Sequence, residues 1–148
     1  AFFLNMESKP QGICLLLRSV SGAGKSLLAN NLQNLIGEQQ CKVVSADDYF
    51  TDKAGEYVFK KELLGQAHFY CRSEFIKALS TRVPLIIVSN TNAKRADFNF
   101  YLERARQFGY IVHVMVIENY MGTTNSHNVP EVSLMKQEEN IRKSLKLR

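Results

Sequence analysis

A glycine-rich stretch near the start of the chain has the residue types of a phosphate-binding loop. In RSVSGAGKS, residues 18–26, the last three positions of the pattern G-x-x-x-x-G-K-[S/T] are filled, whereas Ser19 stands at its first glycine. Glycines let backbone N–H groups approach phosphate, a lysine reaches the β- and γ-phosphates, and a serine hydroxyl can ligate Mg²⁺. The stretch predicts a site for ATP and Mg²⁺, with the metal at Ser26. The predicted nucleotide-binding residues are Ser21, Gly22, Ala23, Gly24, Lys25, Ser26 and Leu27.

The serine at the first loop position leaves two conformations open. If Ser19 has positive φ, a non-glycine residue there is strained by about 1–3 kcal/mol, which would weaken the loop. If φ is negative, serine costs little. The sequence does not decide between them.

Two adjacent carboxylates follow the next apolar segment. Asp47 and Asp48 lie in SADDYF, residues 45–50, after CKVVSA. We expect both to project near the phosphate loop, because parallel strands end at the same edge of a sheet. A carboxylate there can accept a proton from an attacking hydroxyl or hold Mg²⁺ through water. Taken alone, the pair is as well explained by a solvated turn.

Four short apolar runs must position these residues. Their length and continuity predict buried parallel strands at residues 13–18, 41–46, 84–89 and 111–117. Helical spacing of apolar residues follows at 26–36, about 60–80 and about 97–108. Alternating strands and helices predict an α/β protein with a mostly parallel central sheet.

The composition indicates a cellular compartment but does not identify a binding partner. The formal charge of +5 over 148 residues agrees with a polyanionic partner, but many globular domains reach that value. The three cysteines lack C-x-x-C spacing, which favours buried thiols in a reduced intracellular protein, cytoplasmic or nuclear. No apolar run is long enough to cross a bilayer, so we expect no membrane contact. The sequence does not indicate which proteins it binds.

The chain resembles P-loop kinases of the polynucleotide 5′-hydroxyl kinase type. That group includes the kinase-like domains found beside cyclic-nucleotide phosphodiesterase domains and in some ubiquitin-ligase-binding proteins. The similarity runs from about Gln11 to Met135. It implies the P-loop NTPase fold with three layers (α/β/α), an N-terminal extension, 1–10, and one P-loop kinase-like domain, 11–148. Its motifs, in chain order, are LLLRSVSGAGKS, VVSADDYF, AHFYCRSEF, LIIVSNTN, the GY of QFGYIVHVMVIE, and NSHNVP.

The resemblance implies a role for several residues. It implies that Asp47 is the general base for the accepting hydroxyl and that Lys25, together with the loop, binds the phosphates of ATP. These two are the implied catalytic residues. It also places Asn90, Thr91 and Asn92 near the acceptor. A nucleoside triphosphate and a nucleic-acid end are the partners it implies.

Four positions depart from the group's pattern. Ser19 replaces a glycine, Ser21 a proline, Asn90 an aspartate, and Thr124 the arginine expected in the lid. Asn90 can donate or accept hydrogen bonds but cannot act as a base. An arginine at the transferring phosphoryl group is worth orders of magnitude in some enzymes, so its loss argues for reduced or altered catalysis.

Two functional hypotheses therefore stay open. The first is transfer of the γ-phosphate of ATP to a hydroxyl, favoured because Lys25, Ser26 and Asp47 are all present. The second is a catalytically decayed nucleotide-binding module that acts in RNA binding or scaffolding. A GTPase is disfavoured, because the D-x-x-G match at residues 52–55 follows no apolar strand and the chain has no N-K-x-D motif.

Overall fold

The computed structural model describes residues 9–120 and 127–147. Strands and helices alternate along the chain, and short 3-10 helices at Ala46–Phe50 and Lys61–Leu63 lie between β2 and α2. Within the described residues, the elements in chain order are β1 Gly12–Arg18, α1 Lys25–Ile36, β2 Cys41–Val44, α2 Leu64–Ser80, β3 Leu85–Ser89, α3 Arg95–Gln107, β4 Tyr110–Val116 and α4 Glu131–Lys143.

The four strands form one sheet in the order β2-β3-β1-β4, and every pair is parallel. The strand that carries the phosphate loop, β1, is therefore central, with β3 on one side and β4 on the other. All strands run in the same direction, so the segments after β1, β2 and β3 meet at one edge. The predicted α/β fold of the P-loop NTPase type is confirmed.

Alternation along each strand separates two apolar layers. Leu16 and Ile86 face a core that includes Phe75 of α2 and Tyr101 of α3. Leu17 and its neighbours face the opposite way, toward α1. Because successive strand residues point to opposite faces, continuous apolar runs such as ICLLLR supply both layers. The result is the expected α/β/α sandwich.

A buried arginine ends the central strand. Arg18 is fully inaccessible to solvent, and no carboxylate within the described ranges forms an ion pair with it. Its guanidinium instead donates to the carbonyl oxygens of Asn92 (2.8 Å), Ala93 (3.1 Å) and Ser144 (2.9 Å), and to the Ser144 hydroxyl (2.6 Å).

The same guanidinium lies over the Phe98 ring, 4.5 Å from its centroid. Burial lowers the pKa of Arg18 from its ordinary value, with the charge of Asp97 opposing the change, and an arginine remains protonated in proteins. The fork of N–H donors thus joins the end of β1 to the segment after β3 and to the residue after α4. These are the segments that surround the phosphate loop.

We predict that replacing Arg18, the last residue of β1, strongly lowers the free energy of unfolding. Arg18→Ala leaves several buried carbonyl oxygens unpaired and opens a cavity, so the free energy of unfolding should fall by about 3 kcal/mol. Arg18→Lys keeps the charge but not the planar fork and should still cost more than about 1 kcal/mol. Urea unfolding measures both.

The control is Lys53→Ala, at an exposed position in the loop after β2, which should change stability by less than about 0.5 kcal/mol. An Arg18→Ala variant as stable as this control would show that the network contributes nothing to stability.

Candidate nucleotide and acceptor site

The phosphate loop turns on two glycines with left-handed backbone. Gly22 has φ of 83° and Gly24 has φ of 97°. A Cβ built on Gly24 meets no atom within 4 Å, so backbone conformation, and not space, requires glycine there. Gly24 is the N-cap of α1, and the helix begins at Lys25.

The N-terminus of α1 has no polar side chain to satisfy it. Gly24 offers no capping side chain, and the first turn contains no acidic residue. By contrast, the Asp97 carboxylate accepts from the Lys94 N–H at the start of α3, 3.0 Å away. The first N–H groups of a helix lack intrahelical partners and attract anions. The start of α1 is therefore suited to phosphate.

Ser19 is not strained. It is absent from the non-glycine residues of positive φ within the described ranges, which are Arg82, Asn92 and Asn128. Its N–H donates to the Thr91 carbonyl oxygen at 3.2 Å and its hydroxyl to the Val20 carbonyl oxygen at 2.9 Å. The serine is accommodated in a buried turn, and the conformation that costs little is the one observed.

Helix α4 reaches the rim of the loop. The Ser21 N–H donates to Oε1 of Gln137 at 3.0 Å, and Ala23 next to it is buried. Ser26 and Leu27, on the first turn of α1, are exposed. The loop thus has a side held by protein contacts and a side open to a ligand.

Lys25 and Asp47 interact across this opening. Burial lowers the pKa of the Lys25 ammonium from its ordinary value, and attraction to the Asp47 carboxylate opposes that shift. A desolvated cation gains most from an anion placed beside it. The structure thus brings the loop lysine and the predicted base into one electrostatic site.

The two neighbouring carboxylates have different charged neighbours. Burial is the main reason that the pKa of Asp48 is raised; repulsion from Asp47 and Glu74 adds to the rise and attraction to Lys42 opposes it. Asp47, by contrast, acts on Lys25. The 3-10 helix explains the difference, because adjacent residues on it point about a third of a turn apart.

Asp47 has two further neighbours that the sequence did not single out. The Tyr57 hydroxyl donates to Oδ1 at 3.4 Å, and Nε2 of His127 lies 4.0 Å from Oδ2. Burial, followed by the charge of Asp47 and the hydrogen bond to it, raises the pKa of Tyr57 to about 12. The carboxylate side chain itself remains about half exposed. It is held at its edges and open to a substrate.

The three residues predicted near the acceptor have partners within the protein. Oδ1 of Asn90 accepts from the Ala46 N–H at 2.9 Å, and Nδ2 of Asn92 donates to the Leu17 carbonyl oxygen at 2.8 Å. Thr91 lines a groove of about 310 Å³ between α3 and α4 that also contains Lys136. Their role toward a substrate stays a prediction.

A magnesium ion fits the donor set. Within the described ranges, no group of three or more His, Cys, Asp or Glu residues could hold a metal ion. Mg²⁺ keeps several waters and binds through one or two protein oxygens together with phosphates, so it needs no such group. The exposed hydroxyl of Ser26, at the first turn of α1, supplies an oxygen of the required kind.

The lid position Thr124 lies outside the described residues. Arg142 and Lys136, two basic residues of α4, are candidates to supply the cation of the missing lid arginine, and Arg142 forms an ion pair with Glu138 at 2.8 Å. Lys136 lines the groove that also contains Gln137, the partner of the loop residue Ser21. Lys136 is therefore the better placed cation.

Sequence reasoning missed Arg18, Tyr57 and Gln137 as contributors to the site, and quoted His127 only as part of NSHNVP. A charge at the end of an otherwise apolar strand was a signal for Arg18. The contacts of Tyr57 and Gln137 span 10 and 116 residues, and no local pattern announces them.

We predict that Ser19→Gly does not strengthen nucleotide binding. Serine adopts an ordinary conformation here, so glycine relieves no strain and instead adds freedom to the unfolded chain. ATP affinity by calorimetry should be unchanged or weaker, with Ser19→Ala as the control that removes only the hydroxyl. A gain of more than about fivefold in the glycine variant alone would contradict this conformation.

Comparison with known proteins places this geometry in a family. The family model described as AAA domain matches residues 15–129, most of the chain. Human NEDD4-binding protein 2 is 32% identical over 100 residues, which cover 68% of this chain and 6% of the relative. The chain thus spans a small part of that relative's length.

Solved structures agree on the fold. The structure of the Pnkp1/Rnl/Hen1 RNA repair complex matches with a TM-score of 0.71 and 15% identity, over 93% of this chain and 46% of that chain. A gluconokinase from Sinorhizobium meliloti 1021 matches with a TM-score of 0.54 and 15% identity, over 90% and 77%.

No helix within the described ranges is long and apolar enough to span a bilayer. The family match covers both the phosphate loop and Asp47. The chain belongs to the AAA domain family, and its resemblance to P-loop kinases of the polynucleotide 5′-hydroxyl kinase type is confirmed.

Proposed function

We propose that the protein transfers the γ-phosphate of ATP to a hydroxyl acceptor, the 5′-OH of a polynucleotide or nucleotide. The observation that carries this proposal is a glycine-rich loop that leads into an uncapped helix N-terminus, with Asp47 near enough for its charge to act on Lys25. A phosphate site and a carboxylate that can receive a proton are the two requirements of phosphoryl transfer to an alcohol.

The phosphate loop supplies the nucleotide half of the site. Backbone N–H groups at the start of α1 face the phosphates, and the Lys25 ammonium neutralises charge on the transferring group. Ser26 would hold Mg²⁺, which when bound offsets phosphate charge. Because Lys25 already bears a desolvation cost without ligand, binding a triphosphate relieves that cost.

Asp47 supplies the acceptor half. Its carboxylate is half exposed, and Tyr57 and His127 limit its orientation. It would accept the proton of the acceptor hydroxyl as the oxygen attacks the γ-phosphorus. Lys136, in the groove beside the loop, would supply the cation that the group usually takes from a lid arginine.

The setting we propose is a reducing one, cytoplasmic or nuclear. Cys14, Cys41 and Cys71 are all free and buried, as expected for structural thiols. A structural neighbour, the Pnkp1/Rnl/Hen1 complex, is described as an RNA repair complex, and this supports a nucleic-acid end as the acceptor.

A second candidate is a nucleotide-binding module without catalysis. The contact between Gln137 and the Ser21 N–H favours it, because a protein side chain already occupies the rim of the loop. The engaged amide of Asn90, where the group has an aspartate, points the same way.

We predict that Lys25→Ala lowers Mg-ATP affinity by roughly 10- to 150-fold, since a charge-assisted contact to phosphate is lost. The affinity of the wild type should be full while Lys25 is protonated and fall as pH rises through its lowered pKa. Titration calorimetry against pH tests both, with Lys42→Ala as the control. Unchanged affinity in Lys25→Ala would refute the phosphate-loop assignment.

We predict that binding and turnover separate at Asp47. Asp47→Asn should leave ATP affinity within a few-fold, because its partner is the acceptor, yet lower phosphoryl transfer by roughly 10²–10⁴. Calorimetry and single-turnover transfer to a 5′-OH oligonucleotide measure the two quantities.

Asp48→Asn is the matched control, because this adjacent carboxylate acts on Lys42 and Glu74 and not on Lys25. It should keep both binding and transfer. Equal losses of transfer in the two variants would contradict a specific role for Asp47, and tight ATP binding without wild-type transfer would favour the non-catalytic module.

A further inference from the structure

A cavity with aromatic walls lies beside Asp47. Its volume is about 470 Å³, within the range of small-ligand sites, and its lining residues are Tyr57, Phe59, His127 and Asn128. Two of these, Tyr57 and His127, are the residues that contact the Asp47 carboxylate. A molecule in the cavity would therefore lie next to the proposed base.

The rings that form the cavity are fixed by other rings. Tyr57 and His127 meet at 4.0 Å between centroids with their planes 62° apart. Phe59 packs against the buried Phe50 at 5.1 Å, and Phe50 also contacts Tyr57 at 6.2 Å. Aromatic pairs of this geometry stabilise each other. The wall is thus held in place before any ligand binds.

Part of this wall is still open. Phe59 remains 50% exposed although its ring is anchored on Phe50. An exposed ring held in one orientation offers a flat surface on which a second ring can stack. The arrangement therefore favours a ligand with a planar ring.

The chemistry of the lining separates acceptor classes. Among residues 9–120 and 127–147, no lysine or arginine lines the cavity, so its described lining offers no cation to a phosphate or a sugar acid. Asn128 adds an amide, which can both donate to and accept from the edge of a base. Three rings and an amide are the residue types that bind an unpaired nucleobase.

We propose that this cavity binds the terminal base of a nucleoside acceptor, stacked on Phe59 and Tyr57, and so directs its 5′-hydroxyl to Asp47. This inference rests on the proposed function and gives it a substrate determinant. The cavity selects acceptors by the presence of a base, whereas the phosphate loop selects the donor.

Binding is tested without turnover. A single-stranded oligonucleotide with 2-aminopurine at its 5′-OH end is titrated with protein carrying a non-hydrolysable ATP analogue, and quenching reports stacking. The same oligonucleotide with an abasic 5′ end is measured by its competition with the fluorescent one. It should bind roughly 5- to 150-fold more weakly, as expected for loss of one stacked base.

Variants assign the effect to the cavity. Phe59→Leu keeps apolar contact with Phe50 and loses the ring face, so it should remove most of the quenching and of the discrimination against the abasic end. Tyr57→Phe keeps the ring and loses only the hydroxyl, so discrimination should persist. Phe69→Leu, a 73% exposed phenylalanine of α2 that does not line the cavity, is the matched control.

The outcomes separate this inference from the proposed function. Equal affinity for base-containing and abasic ends, or discrimination that survives in Phe59→Leu, overturns the base-binding role even where phosphoryl transfer is observed. Quenching that depends on Phe59, in a protein that transfers no phosphate, supports base binding in the cavity and contradicts only the proposed catalysis.

Discussion

The site depends on a buried positive charge that forms no ion pair within the described residues. Arg18 is buried at the end of the central strand, where its guanidinium binds backbone oxygens of the segment after β3 and of the residue after α4. Burying a charge is costly unless its donors are satisfied, so those segments must keep their positions. One of them, through Thr91, receives the N–H of Ser19, the first residue of the phosphate loop. The loop is therefore supported from behind by this buried network.

The second constraint is the cost of partly burying the Lys25 ammonium beside the phosphate loop. Burial lowers the pKa of Lys25, the charge of Asp47 opposes that change, and the helix start beside it has no side-chain cap. A folded protein tolerates such an arrangement where a ligand restores the balance. Asp47 attracts Lys25, and it lies against the aromatic cavity through Tyr57 and His127. In the function we propose, a donor site and an acceptor site share this carboxylate.

Local patterns were sufficient to predict the four strands, helices α1 to α3 and the loop, because each is encoded within a short window of sequence; α4 was not predicted. The strand β3 begins one residue after the predicted start at 84, and β4 lies one residue before the predicted range 111–117. The conformation of Ser19 could not be predicted, since it depends on a hydrogen bond to a segment 72 positions away. Likewise, the divergence of Asp47 from its neighbour follows from the 3-10 helix, and the Tyr57–His127 pair from long-range packing. The phosphate loop is thus encoded in a local stretch of sequence, whereas the surroundings of Asp47 depend on contacts between distant residues.

The most direct test of this account is transfer of label from γ-labelled ATP to a panel of acceptors. The panel contains 5′-OH RNA, 5′-OH DNA, mononucleosides, and gluconate as a hydroxyl acceptor that carries no base. The account predicts labelled product with base-containing 5′-hydroxyl acceptors and none with gluconate. Transfer to gluconate alone, or to no acceptor although ATP binds, would contradict it.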